Sequence, residues 1–439
     1  MIPMDTCAIE RAGCAAGELA SEPAQQPRRT NRPHVVVLGD PASKRVAQFL
    51  AAASGQGYRA SVLSYRDYLG SDRPITAYLP PHAILRIDSP GEDPEIHRQL
   101  LRLGMQGPPD LWPEVAARAG QMFPLGDASK RLPPDFQPLS HREIEQLRFE
   151  RGAIITPRQW YAGLTWTMHR LESELAGQTG VRLMAHPGDV PILFDKGICQ
   201  TIWQQAGLTV PPFWLGLHSY DQLRAAFAGD RHKNLFLKLR HGYSAMGALA
   251  LQWQGSRIRA LAPLEICRED GVTRLYLSKR VQSLTDEHVI VELVNWLGRE
   301  GMIVEPWLPK ARIEGRNFDL RVVVIAGRVR HVVGRANYGP FTNLNLDGVR
   351  IAAADVQAHL GGEAWEQAMQ LCAVAANCFP RSQYLGVDLL VRSDCRRFAL
   401  LEGNAFGDYL PGLLDDEHCT TYEAELIALS RPGAVPCVT

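Results

Sequence analysis

From residue 34 onward, apolar positions fall into short runs whose period changes part-way along the chain. The run His34-Val35-Val36-Val37-Leu38-Gly39-Asp40 is β-branched and stops in a turn, which predicts a strand. Ser43 to Ala53, with KRVAQFLAAA in its middle, predicts a helix capped by Ser43 or Asp40. A second strand is expected at Ala60 to Ser64. A third, His82 to Ile87, runs into the helical spacing of EIHRQLLRLGM. Strand, helix, strand in this order predicts a parallel α/β unit. It places Asp40 and Asp88-Ser89 at carboxyl ends of strands, where open α/β sheets bind ligands. Trp160 to Leu175 reads as a further helix, and Pro187-Gly188 marks a boundary.

Beyond that boundary the pattern changes. Strands are expected at Phe236 to Leu239, Ala248 to Trp253, Leu275 to Arg280, Met302 to Glu305, Asp319 to Ile325, Arg328 to Gly334, Val387 to Val391 and Arg397 to Glu402. Helices fit Lys196 to Ala206, His288 to Arg299 and Glu363 to Cys378. Tight turns such as Ala326-Gly327 between neighbouring strands imply antiparallel hairpins. The expected fold class is therefore mixed, a parallel α/β lobe over 34–186 followed by an α+β region over 187–430. Residues 1–33 are rich in breakers and read as a flexible tail, 431–439 as a second tail, and about 107–140 as a surface-wrapping stretch. No internal repeat is visible.

Composition narrows the class. The chain has 439 residues, enough for two or three packed units. Lys plus Arg and Asp plus Glu are 47 each, which lacks the basic excess of a dedicated nucleic-acid binder. At 46% apolar the chain is too hydrophobic for disorder, yet no run approaches the roughly 20 residues of a membrane span. The N-terminus lacks the basic start and apolar stretch of a secretory signal. Nine scattered cysteines without a CxxC pair argue against structural zinc and for a reducing cytoplasm. No nucleic-acid or membrane partner is expected.

Candidate chemistry lies mostly in the second part. Gly386-Val387-Asp388-Leu389-Leu390-Val391 is a strand with one acid on an apolar background, and Phe398 to Ala405, FALLEGNA, is a second. Glu402 and Asn404 are two apart and so share a face. If the strands pair, Asp388 stands opposite them, and two carboxylates with an amide oxygen form a ligand set for a hard cation such as Mg²⁺, completed by phosphate. Taken singly, each acid reads as an ordinary strand-end residue. Lys196 begins a helix, and Lys238 interrupts the apolar strand Leu235-Phe236-Leu237-Lys238-Leu239, where a charge is costly unless an anion meets it. Arg240-His241-Gly242-Tyr243-Ser244-Ala245-Met246-Gly247 follows, a small-residue loop that can close over phosphate or be a plain glycine hairpin. It is not a P-loop. His241 on its own reads as an exposed loop residue. Val304-Glu305-Pro306-Trp307-Leu308 can offer carboxylate and backbone groups to an adenine. Asp319 and Arg321 share one strand face, with Arg335 on the probable partner strand, and converging arginines suit an anion.

In this order, DK at a helix start, strand lysine, glycine-rich loop, V-E-P-W-L, D-x-R, a distant R, N-x-N at 343–345, then D and E-x-N, the chain resembles the ATP-grasp superfamily over roughly 187–428. It looks most like the branch of glutathione-synthetase-like and ribosomal-S6-modification-like ligases. The resemblance implies a two-lobed domain whose antiparallel sheets clasp ATP, a small lobe at 187–265 carrying the loop and a large lobe at 266–430 carrying the metal site. By the same resemblance, Lys196 and Lys238 would hold phosphates beneath the loop of His241, Gly242, Ser244 and Gly247. Glu305, Trp307 and Leu308 would hold adenine, and Asp319 the ribose. Asp388, Glu402 and Asn404 would ligate two Mg²⁺, with Mn²⁺ as the alternative. Arg335, with Arg321 and Asn343, would steady the transferring phosphoryl group.

The implied activity is ATP-dependent joining of a carboxylate to an amine or thiol, the partners being small molecules or peptides. Ligases of this type often dimerise. The rival reading is a kinase using Asp408 or Asp347 as base. The N-terminal lobe contributes no substrate motif beyond Asp40, Arg86, Asp88 and Ser89, which read equally as cleft residues or as turns and caps. Trp160, Trp166, Trp203 and Trp296 read as core. The zero net charge is itself a sum: 308–335 holds seven Lys or Arg against two acids, and 398–430 holds seven acids and no Lys or Arg.

Overall fold

The computed structural model describes residues 32–107, 137–229, 234–255, 257–269 and 272–430. The tails and most of the surface-wrapping stretch expected over 107–140 lie outside the described residues. The first unit is a parallel sheet of β1 (Val35–Gly39), β2 (Ala60–Ser64), β3 (Ile84–Ile87) and β4 (Arg182–Leu183), in the order β2-β1-β3-β4. Both faces are covered, which is why β1 and β3 are buried along their whole length. Helix α1 (Lys44–Gly55) starts where the Ser43 side chain accepts the Arg45 amide, and short α2 (Tyr65–Leu69) follows β2. Helix α3 (Pro94–Leu103) is capped by Asp93, and α4 (His141–Gln146) opens with a Ser140/Glu143 capping box. Long α5 (Pro157–Leu175) passes so close to α3 that Gly163 and Gly104 have backbone where a Cβ would lie. The strand order steps outward on both sides of β1. Asp40 and Asp88 therefore stand at the topological switch.

The second unit is a five-stranded antiparallel sheet in the order β8-β7-β6-β5-β9. Its strands are β5 (Asn234–Leu239), β6 (Leu249–Gln254), β7 (Arg257–Glu269), β8 (Val272–Leu284) and β9 (Met302–Pro306). Leu235, Leu237 and Leu239 face a core built with α9 (Glu287–Glu300), and the alternation turns Phe236 and Lys238 to the other face. The boundary expected at 265 falls inside β7. β7 and β8 pair along most of their length and β9 closes on β5, so the smaller lobe's sheet continues to Pro306. β7 escapes the sequence reading because Pro263 interrupts its alternation, at the point where the pairing with β8 shifts register.

The third unit is a larger antiparallel sheet in the order β13-β12-β11-β14-β15, with β10 (Arg312–Ile313) beside β11. It comprises β11 (Arg316–Ile325), β12 (Arg328–Asn337), β13 (Val349–Ile351), β14 (Tyr384–Val391) and β15 (Phe398–Asn404). One side packs on α6 (Asp189–Phe194), α7 (Lys196–Gln205), α10 (Ala353–Leu360) and α11 (Gly362–Asn377). The other receives α12 (Thr421–Leu429), a helix buried nearly all round that also touches α1. Helix α8 (Tyr220–Ala226) joins the core of the second unit. Among the described residues no helix is long and apolar enough to cross a membrane.

Candidate active site

The two antiparallel sheets face each other across a cleft. Phe236 and Lys238 enter it from β5, Ala248 from the start of β6, and Glu305 to Leu308 from the end of β9. From the larger sheet come Asp319, Arg335, Asp388 and Glu402. The cleft's outer part is an apolar slot in which Phe236 meets Phe341 edge-on at 5.2 Å, with Ala248, Ala250, Leu346 and Trp307 around them. Tyr243 to Met246 form its roof. Ser244 and Ala245 both hold left-handed backbone, φ 52° and 64°, a conformation that costs energy in side-chain-bearing residues. Asn345 pins the roof by donating to Ser244 O at 3.3 Å. The cleft holds about 100 Å³ and opens onto an adjoining cavity.

Charges alternate along the floor. Lys196 Nζ lies 3.2 Å from Glu402 and donates to Gly242 O at 2.5 Å. Lys238 pairs with Glu305 at 2.8 Å, and Gln200 donates to the other oxygen of Glu305 at 2.8 Å. Asp319, almost fully buried, accepts from Lys310 at 2.9 Å, Arg335 at 2.8 Å and Thr342. Burial alone would raise the Asp319 carboxyl, but Arg335 and Lys310 outweigh it and hold it well below the usual carboxylate range. Arg335 also donates to Asp388 at 2.9 Å, and Arg321 grips both Asp388 oxygens.

Asp388 and Glu402 are cross-strand partners, as the hairpin expectation required. Two carboxylates directly opposite repel unless a cation or proton lies between them. Burial first, then Glu402, push Asp388 upward against its two arginines. Asn404 donates Nδ2 to Gly386 O at 3.4 Å and lines the neighbouring cavity. This donor set suits a hard cation. Among the described residues there is no cluster of three or more His, Cys, Asp or Glu able to hold a metal unaided. A cation here would need further oxygen ligands, from water or a bound anion, to complete its shell.

Of the residues singled out in the sequence, Lys196, Lys238, Gly242, Ser244, Glu305, Trp307, Leu308, Asp319, Arg335, Asn343, Asp388 and Glu402 all line this cleft. Arg321 and Asn404 line a larger adjoining cavity. His241 and Gly247 line neither. His241 is buried, stacked on Tyr161 at 3.8 Å and bonded to Asp195 at 3.0 Å, so it is no exposed loop residue. Burial drives it down to about 4. Gly247 is pressed on Leu239 and Leu297. The Trp307 amide N–H is spent on Asn234 O at 2.9 Å, so its side chain and carbonyl are what it can offer the slot. Lys310, Thr342 and the two phenylalanines went unread; the basic excess over 308–335 was the one signal for Lys310.

The adjoining cavity, about 780 Å³, shares Lys196, Gly242 to Ser244, Arg335, Asn343 and Glu402 with the cleft. Its far wall is the switch point of the parallel sheet, with Asp40, Arg45, Ser89 and Glu92. Of the N-terminal candidates Asp40 and Ser89 reach it. Arg86 and Asp88 do not, being sealed beneath. Asp347 borders neither space, and Asp408, in the cavity wall, is held by Arg321 at 2.5 Å.

No protein-family model and no curated protein matches the chain. Among solved structures it is similar to a Chryseobacterium gregarium RiPP-associated ATP-grasp ligase in complex with ADP and a leader and core peptide. Identity is 11%, coverage 93% of this chain and 100% of that one, and the TM-score 0.49. It is also similar to D-alanine–D-alanine ligase from Bacillus anthracis complexed with ATP, at 11% identity, 88% and 90% coverage and TM-score 0.42. The ATP-grasp ligase PsnB complexed with a minimal precursor gives 14%, 86% and 92%, and 0.41.

Proposed function

We propose that the chain is an ATP-grasp ligase that activates a carboxylate as its acyl phosphate and joins it to an amine or thiol. One observation carries this reading. Two lysines, an opposed acid pair and Arg335, drawn from segments about 200 residues apart in sequence, converge beside an apolar slot, with Arg321 in the wall of the adjoining cavity.

Phe236, Phe341, Ala248 and Trp307 would hold the faces of adenine, with Glu305 near its edge. Lys196 and Lys238 would exchange their carboxylate partners for phosphate oxygens as the roof of Tyr243 to Met246 settles. Asp388, Glu402 and Asn404 would hold Mg²⁺, two ions or Mn²⁺ in their place, which when bound neutralises and aligns the phosphate oxygens. The substrate carboxylate, in the adjoining cavity, attacks the γ phosphorus; the bond to the β-γ bridging oxygen breaks and ADP leaves. Arg335, with Arg321 and Asn343, spreads the charge of the transferring group. The amine or thiol then attacks the acyl carbon and expels phosphate, its proton passing to solvent or base. No side-chain nucleophile takes part.

The test is ADP binding measured with Mg²⁺ and with EDTA. Mg²⁺ should tighten binding to the wild-type protein, and Glu402→Ala should abolish that gain and lower ATP turnover by about 100-fold or more. Equal Mg²⁺ dependence in Glu402→Ala would sink the metal assignment.

A further inference from the structure

The large cavity contains one carboxylate that is held unlike the others. Asp408 follows Gly407, whose backbone is left-handed, in the irregular segment after β15, and its side chain keeps 21% exposure. Two guanidinium groups from different units aim at it. Arg321, on β11, spends Nε and Nη2 on Asp388 and gives Nη1 to Asp408 Oδ2 at 2.5 Å. Arg45, in the first turn of α1, spends Nε on Asp88 Oδ1 at 3.1 Å and Nη2 on Phe406 O at 2.5 Å. Its Nη1 reaches Asp408 Oδ1 at 4.0 Å, too far for a hydrogen bond. Each arginine is thus fixed by protein acceptors and presents one Nη1 to the same point, and the half of the pair contributed by the N-terminal lobe is not closed on its present partner.

We propose that Arg45 and Arg321 form a carboxylate clamp bridging the lobes, that Asp408 is a resident stand-in, and that the carboxylate of the substrate displaces it. This rests on the ligase reading and names a specificity-determining residue, Arg45, which the sequence motifs leave out. Two charged guanidinium N–H donors converging on one point favour a carboxylate over a hydroxyl or an amine. The clamp lies next to Arg335 and Glu402 on the wall shared with the nucleotide cleft, so a carboxylate gripped there is presented toward the transferring phosphate. The loop bearing Asp408 would move outward as Arg45 closes.

The test uses the full chain, sodium acetate as the probe and sodium chloride of equal ionic strength as the control. Asp408→Ala should bind acetate at least about tenfold more tightly than the wild-type protein, and Arg45→Gln added to Asp408→Ala should lose the gain. Unchanged acetate affinity in Asp408→Ala, or a gain that survives Arg45→Gln, overturns the clamp. If Asp408→Ala does not fold, the wild-type protein decides the matter. Phenylglyoxal labelling of Arg45, mapped by mass spectrometry, should slow in high acetate relative to chloride, and equal labelling in the two salts overturns the proposal. ADP binding on the same samples keeps the two readings apart: acetate binding without ADP binding supports the clamp and removes the nucleotide assignment, and the reverse removes the clamp.

Discussion

Arg86 and Arg335 invite comparison. Each interrupts an apolar strand, each is buried, and each is bracketed by two acids: Glu425 and Asp88 for the first, Asp319 and Asp388 for the second. In the sequence both stand singly in an apolar strand, although only Arg335 belongs to a run of motifs that points to an anion. In the fold they differ in what occupies the remaining side. Arg86 lies at 4.4, 4.6 and 5.1 Å from the rings of Phe49, Tyr384 and Tyr422, which close it off from solvent. Arg335 borders both the cleft and the large cavity. A buried ion pair is therefore no sign of chemistry by itself. The sign is a buried ion pair with one side open to a ligand.

Substitutions separate the two arginines. The largest effect belongs to the sealed pair. Arg86→Met leaves Glu425 buried without its cation and should cost about 3–5 kcal/mol of stability by denaturant unfolding. Adding Glu425→Leu should return much of it, since an apolar pair removes the stranded charge. If the folded fraction of Arg86→Met also loses ADP binding, the division between sealed and open pairs fails. Next comes Arg335→Met, expected to lower ATP turnover by about 10²–10³-fold with a smaller loss of melting temperature than Arg86→Met. An unfolding cost equal to that of Arg86→Met would make the two arginines equivalent after all.

The smallest effect concerns a buried acid of a third kind. Glu300, at the end of α9, accepts the Arg158 amide at 3.1 Å, and burial pushes its carboxyl up to about 7 from a usual 4.5. Between those values the folded chain keeps a proton that the unfolded chain releases. Stability from this group is therefore full below about pH 4.5, falls as the pH rises through the window, and is lost above about 7. Glu300→Gln should flatten that slope and stabilise the protein at pH 8 by roughly 1–3 kcal/mol, read as the difference between unfolding curves at pH 5 and pH 8. An unchanged slope in the variant would place the titration elsewhere.

Much of this could be read from the chain because strand alternation speaks plainly where one face is apolar. β1, β2, β5, β11 and β14 stand within a few residues of their expected places, and the pairing of Asp388 with Glu402 followed from two short runs and a turn. The reading weakened where local pattern and final environment parted. β7 was hidden by Pro263, which breaks its alternation where the pairing with β8 shifts. α12, buried nearly all round between a helix and a sheet although it carries Glu423 and Glu425, has no amphipathic period to detect. His241 follows a strand and precedes a glycine, so it read as exposed, yet Asp195 and Tyr161 drew it inward from two other elements.

Residue types and their order along the strands determined which groups could meet an anion, because period-two alternation decides the face before any long-range contact forms. Lys238 opposite a leucine core, and Glu402 in step with Asn404, are facts of this kind. Only the tertiary structure decided which charges would be sealed and which left open. It alone brought Arg45 of the first helix to Asp408, since that contact depends on how the lobes pack and on no local pattern. Burial and field at a point come from every element around it, and the chain at that point records only its own share.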